Sequence, residues 1–399
     1  MTLQEAVQLC LTRNEHARIS DLNVAVAEAA VEKARVAFLP VVTALGNDVQ
    51  HAYAPPNNNI GTASLTVTQP VFNASAFPLY GQARKLADAQ HDQNIDDRRL
   101  LEFAAANAYF TVLDAQDVVV AAQRQLDNSK SNLSDTSARA SAGLTTSNDV
   151  TRALVDTANA EAEVEKDKGA LDNAFMQLAY TLNSPVPSSL TPPKAMLAAA
   201  QQPPGAVDPL VHLAMDRRPD LMVARYQAVA AQDYAAEPLL RAVPVLGVQG
   251  QVAANTMPTA AHPWNDENVQ ATLTWTIYDA GNRYADKHSR DAQQEIASLS
   301  AQNLARNIDA QVRGAVALLI SAQATFRVSD DAVKAAQQNV EETAVLYRTG
   351  LAKAIELVDA SDSRFTAEIN YATAEFTMAQ AYLNLRQALG LGALGTELK

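Results

Sequence analysis

Hydrophobic positions along the chain recur with two different periods. Leu100, Phe103, Phe110 and Leu113 fall on steps of three and four, with Asn107 and Asp117 in the same stripe. Leu318, Ala322, Phe326, Val333, Val340 and Leu346 form a second, similar stripe. That spacing predicts amphipathic helices. Elsewhere the period is two. Ala63, Leu65, Val67 and Val71 share one side of a segment whose other side holds Thr62, Ser64, Thr66 and Thr68. Val269, Ala271, Leu273, Trp275 and Ile277 alternate in the same way with Asn268, Gln270, Thr272, Thr274 and Thr276. Residues 41–53 and 245–257 alternate less cleanly, grouping Leu45, Val49 and Tyr53, or Leu246, Val248 and Val252. Strands are therefore expected over 41–53, 62–72, 245–257 and 268–278.

These patterns occur twice. Pro40 and Pro244 each stop a helix-like stretch, 204 positions apart, and Leu178 and Leu385 lie 207 apart near the far end. Between them the segment from Leu65 to Asn73 echoes that from Ala271 to Asp279, and Ala142-Gly143-Leu144 echoes Thr349-Gly350-Leu351. So steady an offset implies a duplicated unit. The first copy covers 1–183, with short helices over 2–38, and the second covers 208–399, with helices over 208–241. Between them, 184–207 holds Pro185, Pro187, Pro192, Pro193, Pro203 and Pro204, which reads as an extended crossover.

Each copy also holds an unusually long helix. No glycine or proline occurs between Gly81 and Gly143, and only Gly314 interrupts the stretch from Asn282 to Thr349. A helix of about 65 residues extends for about 100 Å, whereas globular helices average about 10–14 residues. After each Gly-Leu pair a second helix is expected to run back. The result is two helical hairpins, 75–183 with its tip at 142–147, and 282–390 with its tip at 349–354. Gly143 and Gly350 would supply the left-handed residues at the tips, and Ser147 would cap the returning helix.

Composition narrows the function more than the fold. A net charge of −13 lacks the Lys/Arg footprint of a nucleic-acid binder. The single Cys10 can form no internal disulfide. The six histidines (His16, His51, His91, His212, His262 and His288) show no ligand spacing, so no metal site is expected. Neither a nucleophile elbow, a phosphate loop nor an HExxH pattern occurs, and no enzyme activity or cofactor is expected. There is no apolar run of about 18 residues to form a membrane helix. No signal peptide is visible, so an exported form would be the mature chain. The strands have the size and alternation of membrane β-strands, but period alone also fits a small soluble sheet. Four strands cannot close a barrel, so a membrane reading requires several protomers.

Several short motifs carry a family resemblance over essentially the whole chain. They are Arg217-Arg218-Pro219-Asp220-Leu221 opening the second copy, and Phe72-Asn73-Ala74-Ser75 and Tyr278-Asp279-Ala280-Gly281 leaving the strand pairs. Tyr347-Arg348-Thr349-Gly350-Leu351 followed by Leu357-Val358-Asp359-Ala360 is the most specific, with Ala142-Gly143-Leu144 and Asp149-Val150 as its echo. The chain resembles the TolC-like outer-membrane efflux proteins. That resemblance implies a mainly α fold with a membrane β part: a homotrimer joining a twelve-stranded β-barrel to an α-barrel in the periplasm. It implies a passive, gated exit duct of a tripartite efflux pump or type I secretion system in a Gram-negative-type bacterium. The partners would be a periplasmic membrane-fusion adaptor, through it an inner-membrane pump, and outer-membrane lipid. By match to the motifs, Glu356 and Asp359 would form the pore gate and selectivity site. Asp149 and Tyr347 would be a hydrogen-bonded pair closing the tips. The basic partner of that closure falls on Ala352, with Lys353 beside it. Gly143, Leu144, Gly350 and Leu351 would receive the adaptor. Trp264, Trp275, Tyr53, Phe72 and Tyr278 could form aromatic girdles or simply end strands. The competing reading is a soluble periplasmic scaffold or adaptor without a pore.

Overall fold

The structure, a computed structural model, describes residues 1–49, 60–256 and 263–395. In chain order the elements are α1 (Leu3–Arg13), α2 (Glu15–Arg35), a 3-10 turn (Val36–Phe38), β1 (Val41–Val49), β2 (Ile60–Phe72), α3 (Ala76–Ser141) and α4 (Ser147–Leu182). The second half follows with α5 (Lys194–Ala200), α6 (Val207–Arg217), α7 (Pro219–Leu240), β3 (Val245–Asn255), β4 (Asn265–Thr274), α8 (Asn282–Arg348) and α9 (Ala354–Ala388). The two long helices, α3 and α8, have 66 and 67 residues.

Some boundaries differ from the sequence reading, each for a local reason. The helices expected over 2–38 and 208–241 part at Asn14 and at Arg218, both in extended backbone. Pro219 follows Arg218, and a residue before proline avoids the helical region. The crossover 184–207 is not wholly extended, because α5 forms within it. Its sequence, Lys-Ala-Met-Leu-Ala-Ala-Ala, is strongly helix-forming, and Pro193 precedes it, where a missing N–H costs nothing. Strand β4 ends at Thr274, short of residue 278. Arg283 donates to the carbonyls of Thr276 (3.1 Å) and Ile277 (3.2 Å), and Trp275 Nε1 donates to Ala242 O at 2.9 Å. Those contacts stand in place of the ladder. His51, Tyr53, Met257 and His262 lie outside the described residues.

Close packing divides the chain into two units. The first comprises Met1–Ser20, Ile95–Pro219 and Ala305–Lys399. Its core joins α1, α3, α4 and α9 through Val7, Cys10, Phe103, Tyr109, Phe110, Leu178, Leu182, Phe376 and Leu383, interleaved with alanines. Burying one such large side chain contributes about 1.5–3 kcal/mol, while the alanines let helix backbones approach. Phe110 and Phe376 meet with ring centroids 6.1 Å apart. Gly390, at φ 75°, ends α9 against the backbone of Arg217, where a side chain's first carbon would lie 3.0 Å from the carbonyl carbon. Only glycine combines that conformation with that approach. A second small cluster, Ala122, Leu126, Ala160 and Val164 with Phe365, lies nearer the tips.

The second unit, Asp21–Asn94 with Asp220–Leu304, holds the sheet. Its strands run β1-β2-β3-β4, each antiparallel to the next. Residues paired across an antiparallel ladder share a face. One face therefore carries Val42, Ala44, Ala63, Leu65, Val67, Leu246, Val248, Val252, Val269, Ala271 and Leu273, with Gln69 and Glu267 as its polar members towards the two ends. The other carries Thr43, Thr62, Ser64, Thr66, Gln249, Gln251, Asn268, Gln270 and Thr272, with Gln270 donating to Gln249 at 3.2 Å. At the β1 edge it also carries Val41, Leu45 and Val49, so the apolar grouping read for β1 falls on this mainly polar face. Val71 was expected in the apolar row, but the register shifts between Pro70 and Phe72 and leaves it outside the pairing. Pro70 cannot donate to the ladder, which is where strands commonly bulge. Where β4 gives way to α8, Asp279 accepts from the N–H groups of Gly281 (3.2 Å) and Arg283 (3.0 Å), fixing the helix start.

Candidate functional site

The two hairpin tips are built on one backbone plan. At the first, Gly143 has φ 74°, its N–H donates to Ala140 O at 2.9 Å, and Leu144 N–H reaches back to Arg139 O at 2.9 Å. At the second, Gly350 has φ 81°, its N–H donates to Tyr347 O at 3.2 Å, and Leu351 N–H reaches Leu346 O at 2.8 Å. Each glycine takes the left-handed conformation, and the paired bonds satisfy carbonyls that the helix end would leave free. Leu144 and Leu351 are then held outward, 76% and 78% exposed.

Beyond the turns the two copies diverge. Thr146, not Ser147, caps α4: its hydroxyl accepts from Asp149 N–H at 3.3 Å. The Asp149 carboxylate returns the bond, accepting from Thr146 N–H (3.1 Å) and from the hydroxyls of Thr146 (2.7 Å) and Thr145 (2.6 Å). The Thr145 and Thr146 hydroxyls, followed by the Thr146 N–H, hold its pKa below the usual carboxylate range. At the second tip Lys353 occupies the cap position and supplies no side-chain bond. Glu356 stands three residues on, in the register of Asp149. Glu356 and Asp359 are both exposed on the first turns of α9. Among the described residues the Glu356 carboxylate makes no hydrogen bond or ion pair.

The structure does not join Asp149 to Tyr347. The acid is occupied by its own cap, while Tyr347 is buried beneath Arg139, whose guanidinium lies 4.1 Å from the ring centroid. It does bring Asp359 together with groups that the sequence reading passed over. Asp156 on α4 and Asp362 on α9 lie close enough to Asp359 to feel its charge. Gln125 on α3 donates to Asp362 at 2.7 Å. Burial first, then neighbouring carboxylates, lifts the pKa of Asp156 and Asp362 above the ordinary range. The signal for Asp362 was present in the sequence: Glu356, Asp359 and Asp362 recur every three residues along one helix. Asp156 needed the tertiary fold. Asp359 and Asp362 also line a groove of about 740 Å³ with Ser329, Ser363, Thr366 and Asn370. A second acidic group lies further along the same helices, where burial raises Asp114, Asp117 and Glu375. One oxygen of Asp114 is buried without a hydrogen-bond partner. Among the described residues no three His, Cys, Asp or Glu side chains are grouped to hold a metal. At the second tip, then, two exposed carboxylates follow a turn closed by paired main-chain bonds.

Known proteins share this plan. The solved channel protein CusC superposes with a TM-score of 0.86 at 17% identity, over 97% of this chain and 92% of its own. The outer-membrane channel MtrE of Neisseria gonorrhoeae, solved in its open state, gives 0.84 at 19% identity, over 100% and 90%. In sequence, the outer membrane protein TolC of Salmonella enteritidis is 26% identical over 388 residues, 91% of this chain and 77% of that protein. The family model described as outer membrane efflux protein matches residues 6–184 and 210–391, one match to each copy of the repeat. The chain belongs to the outer membrane efflux protein family.

Proposed function

We propose that three copies of this chain assemble into one duct, their twelve strands closing a barrel in the outer membrane and their hairpins an α-barrel below it. Family membership makes the chain an outer-membrane exit duct of a tripartite efflux system, reaching into the periplasm, and not an enzyme. Such a duct works with a periplasmic adaptor and an inner-membrane pump. The observation carrying the trimeric reading is the sheet. Its apolar face is open, with Val42 60%, Val269 81% and Leu273 67% exposed, and its outer strands β1 and β4 each pair on one side only. Exposed apolar rows of that length call for lipid, and lipid tolerates no unpaired strand edge. Additional strands must therefore come from other copies, and a polar lumen would be lined by the threonine and glutamine face.

In this reading Glu356 and Asp359 from each copy form the constriction. Their repetition around a pore raises the local negative potential and concentrates cations. Lys353, beside the expected basic position, sits at the mouth, and the Gly143–Leu144 and Gly350–Leu351 turns present the adaptor surface. The exposure of both leucines supports that role. The soluble-scaffold alternative would have to leave the whole apolar sheet face in water. The test is conductance of the purified protein in planar bilayers, wild type against Glu356→Ala/Asp359→Ala. Cation-selective currents that lose selectivity in the double variant are expected. A monodisperse monomer without detergent would overturn the trimer, and unchanged selectivity would overturn the gate.

A further inference from the structure

One residue links the two tips in a way the family resemblance does not assign. Arg139 lies in the last turn of α3, where its carbonyl accepts Leu144 N–H at 2.9 Å and closes the first tip. Its guanidinium covers the Tyr347 ring, 4.1 Å from the centroid, and Nη2 donates to the Tyr347 carbonyl at 3.3 Å. That same carbonyl accepts Gly350 N–H at 3.2 Å, closing the second tip. The arginine thus contributes to both turns at once. Three attractions act together here: cation on ring face, a charge-assisted bond to a main-chain oxygen, and a cation at a helix C-terminus. Tyr347 is 6% exposed, so water competes poorly for the ring. The duplication supplies no second copy of the link, because the repeat-equivalent positions are Leu346 and Ala140.

We infer that Arg139 is the positioning residue that holds the two hairpin tips together, acting on the ring face and carbonyl of Tyr347 rather than on its phenol hydroxyl. The inference rests on the channel reading above and extends it to how the periplasmic end is held narrow. The experiment is single-channel recording of the full chain in planar bilayers, comparing Arg139→Gln, Tyr347→Leu, Tyr347→Phe and Asp149→Asn, with thermal unfolding of each followed in parallel. Arg139→Gln and Tyr347→Leu are expected to raise conductance severalfold with only a small fall in unfolding temperature. Tyr347→Phe keeps the ring and the carbonyl, so it should conduct like wild type, as should Asp149→Asn. If Arg139→Gln fails to fold, the Tyr347→Leu against Tyr347→Phe contrast still decides. Equal opening by Tyr347→Phe and Tyr347→Leu, or opening by Asp149→Asn alone, would overturn the inference in favour of a hydroxyl–carboxylate pair. Wild-type conductance from a well-folded Arg139→Gln protein would overturn it outright while leaving the channel reading intact. A wild-type protein that forms no channels would remove the channel reading itself.

Discussion

The first and second tips share a turn, a glycine conformation and a register, yet they use a carboxylate in opposite ways. At the first, Asp149 is consumed by the helix cap, accepting three hydrogen bonds from Thr145 and Thr146. At the second, the cap position is Lys353, which offers no acceptor, and Glu356 is left exposed without a cap bond. One turn further the contrast continues, with Arg152 in the first copy standing where the second has Asp359. Duplication has preserved the architecture while the chemistry separated. One hairpin uses its acid to cap a helix, and the other leaves it exposed to solvent.

That contrast can be broken in several ways. The largest effect is expected on selectivity. Removing Glu356 and Asp359 should abolish the cation preference measured by reversal potential across a salt gradient, whereas Asp149→Asn should leave it unchanged. If Asp149→Asn shifts the reversal potential equally, the tips are not specialised. Next come the turns. Gly143→Ala and Gly350→Ala each force a side chain into positive φ, costing about 1 kcal/mol or more. Hydrogen exchange at Leu144 and Leu351 should accelerate to a similar degree, because both turns are built alike. Loss of the cap through Thr146→Ala should cost about 1 kcal/mol, read as faster exchange in the first turn of α4. The same substitution at Lys353 should cost nearly nothing.

The comparison also suggests an exchange. Lys353→Thr would give the second tip the Thr-x-x-acid spacing of the first, and about 0.5 kcal/mol of helix stability is expected from it. The gain should come with weaker cation selectivity, since Glu356 would turn back onto its own helix. A more stable variant with undiminished selectivity would separate the two properties.

The smallest effect concerns pH. Asp149, held below its usual range by the Thr145 and Thr146 hydrogen bonds, contributes stability at neutral pH that is lost as pH falls through that lowered value. Asp156 and Asp362, raised first by burial, act in the opposite sense. Their contribution is complete below the ordinary carboxylate range and is lost as pH rises through their raised values. Asp362→Asn should therefore stabilise near neutral pH, by about 0.3 kcal/mol after solvent screening, and flatten the pH dependence of thermal unfolding. An unchanged or steeper pH dependence would refute that assignment.

The mainly helical fold and the family were legible because the signals are long. Stretches of some sixty residues without glycine or proline, and motifs repeated in order, survive local irregularity. Short-range choices were less legible. Ser147 and Thr146 are both good caps, and only the reciprocal bond with Asp149 selects Thr146. Alternation through Trp275 and Ile277 continues the strand pattern, but nothing in the pattern reveals that Arg283 will take the neighbouring carbonyls. The α5 helix was hidden by the prolines around it, although its own seven residues are good helix formers. At the site, the acids on α9 could be read from their spacing. Asp156, Gln125 and Arg139 could not, because each acts across to another helix and its partner lies more than 200 positions away.

The central pairing of the sheet has a consequence for how the protein is made. Strands β1 and β2, or β3 and β4, are neighbours in sequence and can join locally. The β2–β3 ladder cannot, because it matches Thr62 with Asn255 and Leu65 with Val252, across the whole of the first hairpin. Contacts so distant in sequence form late and slowly. Until the second half arrives beside it, the first half carries an apolar strand edge with nothing to pair with, a known hazard for aggregation. A chain truncated after Leu182 should therefore be far more prone to aggregate than its length alone suggests.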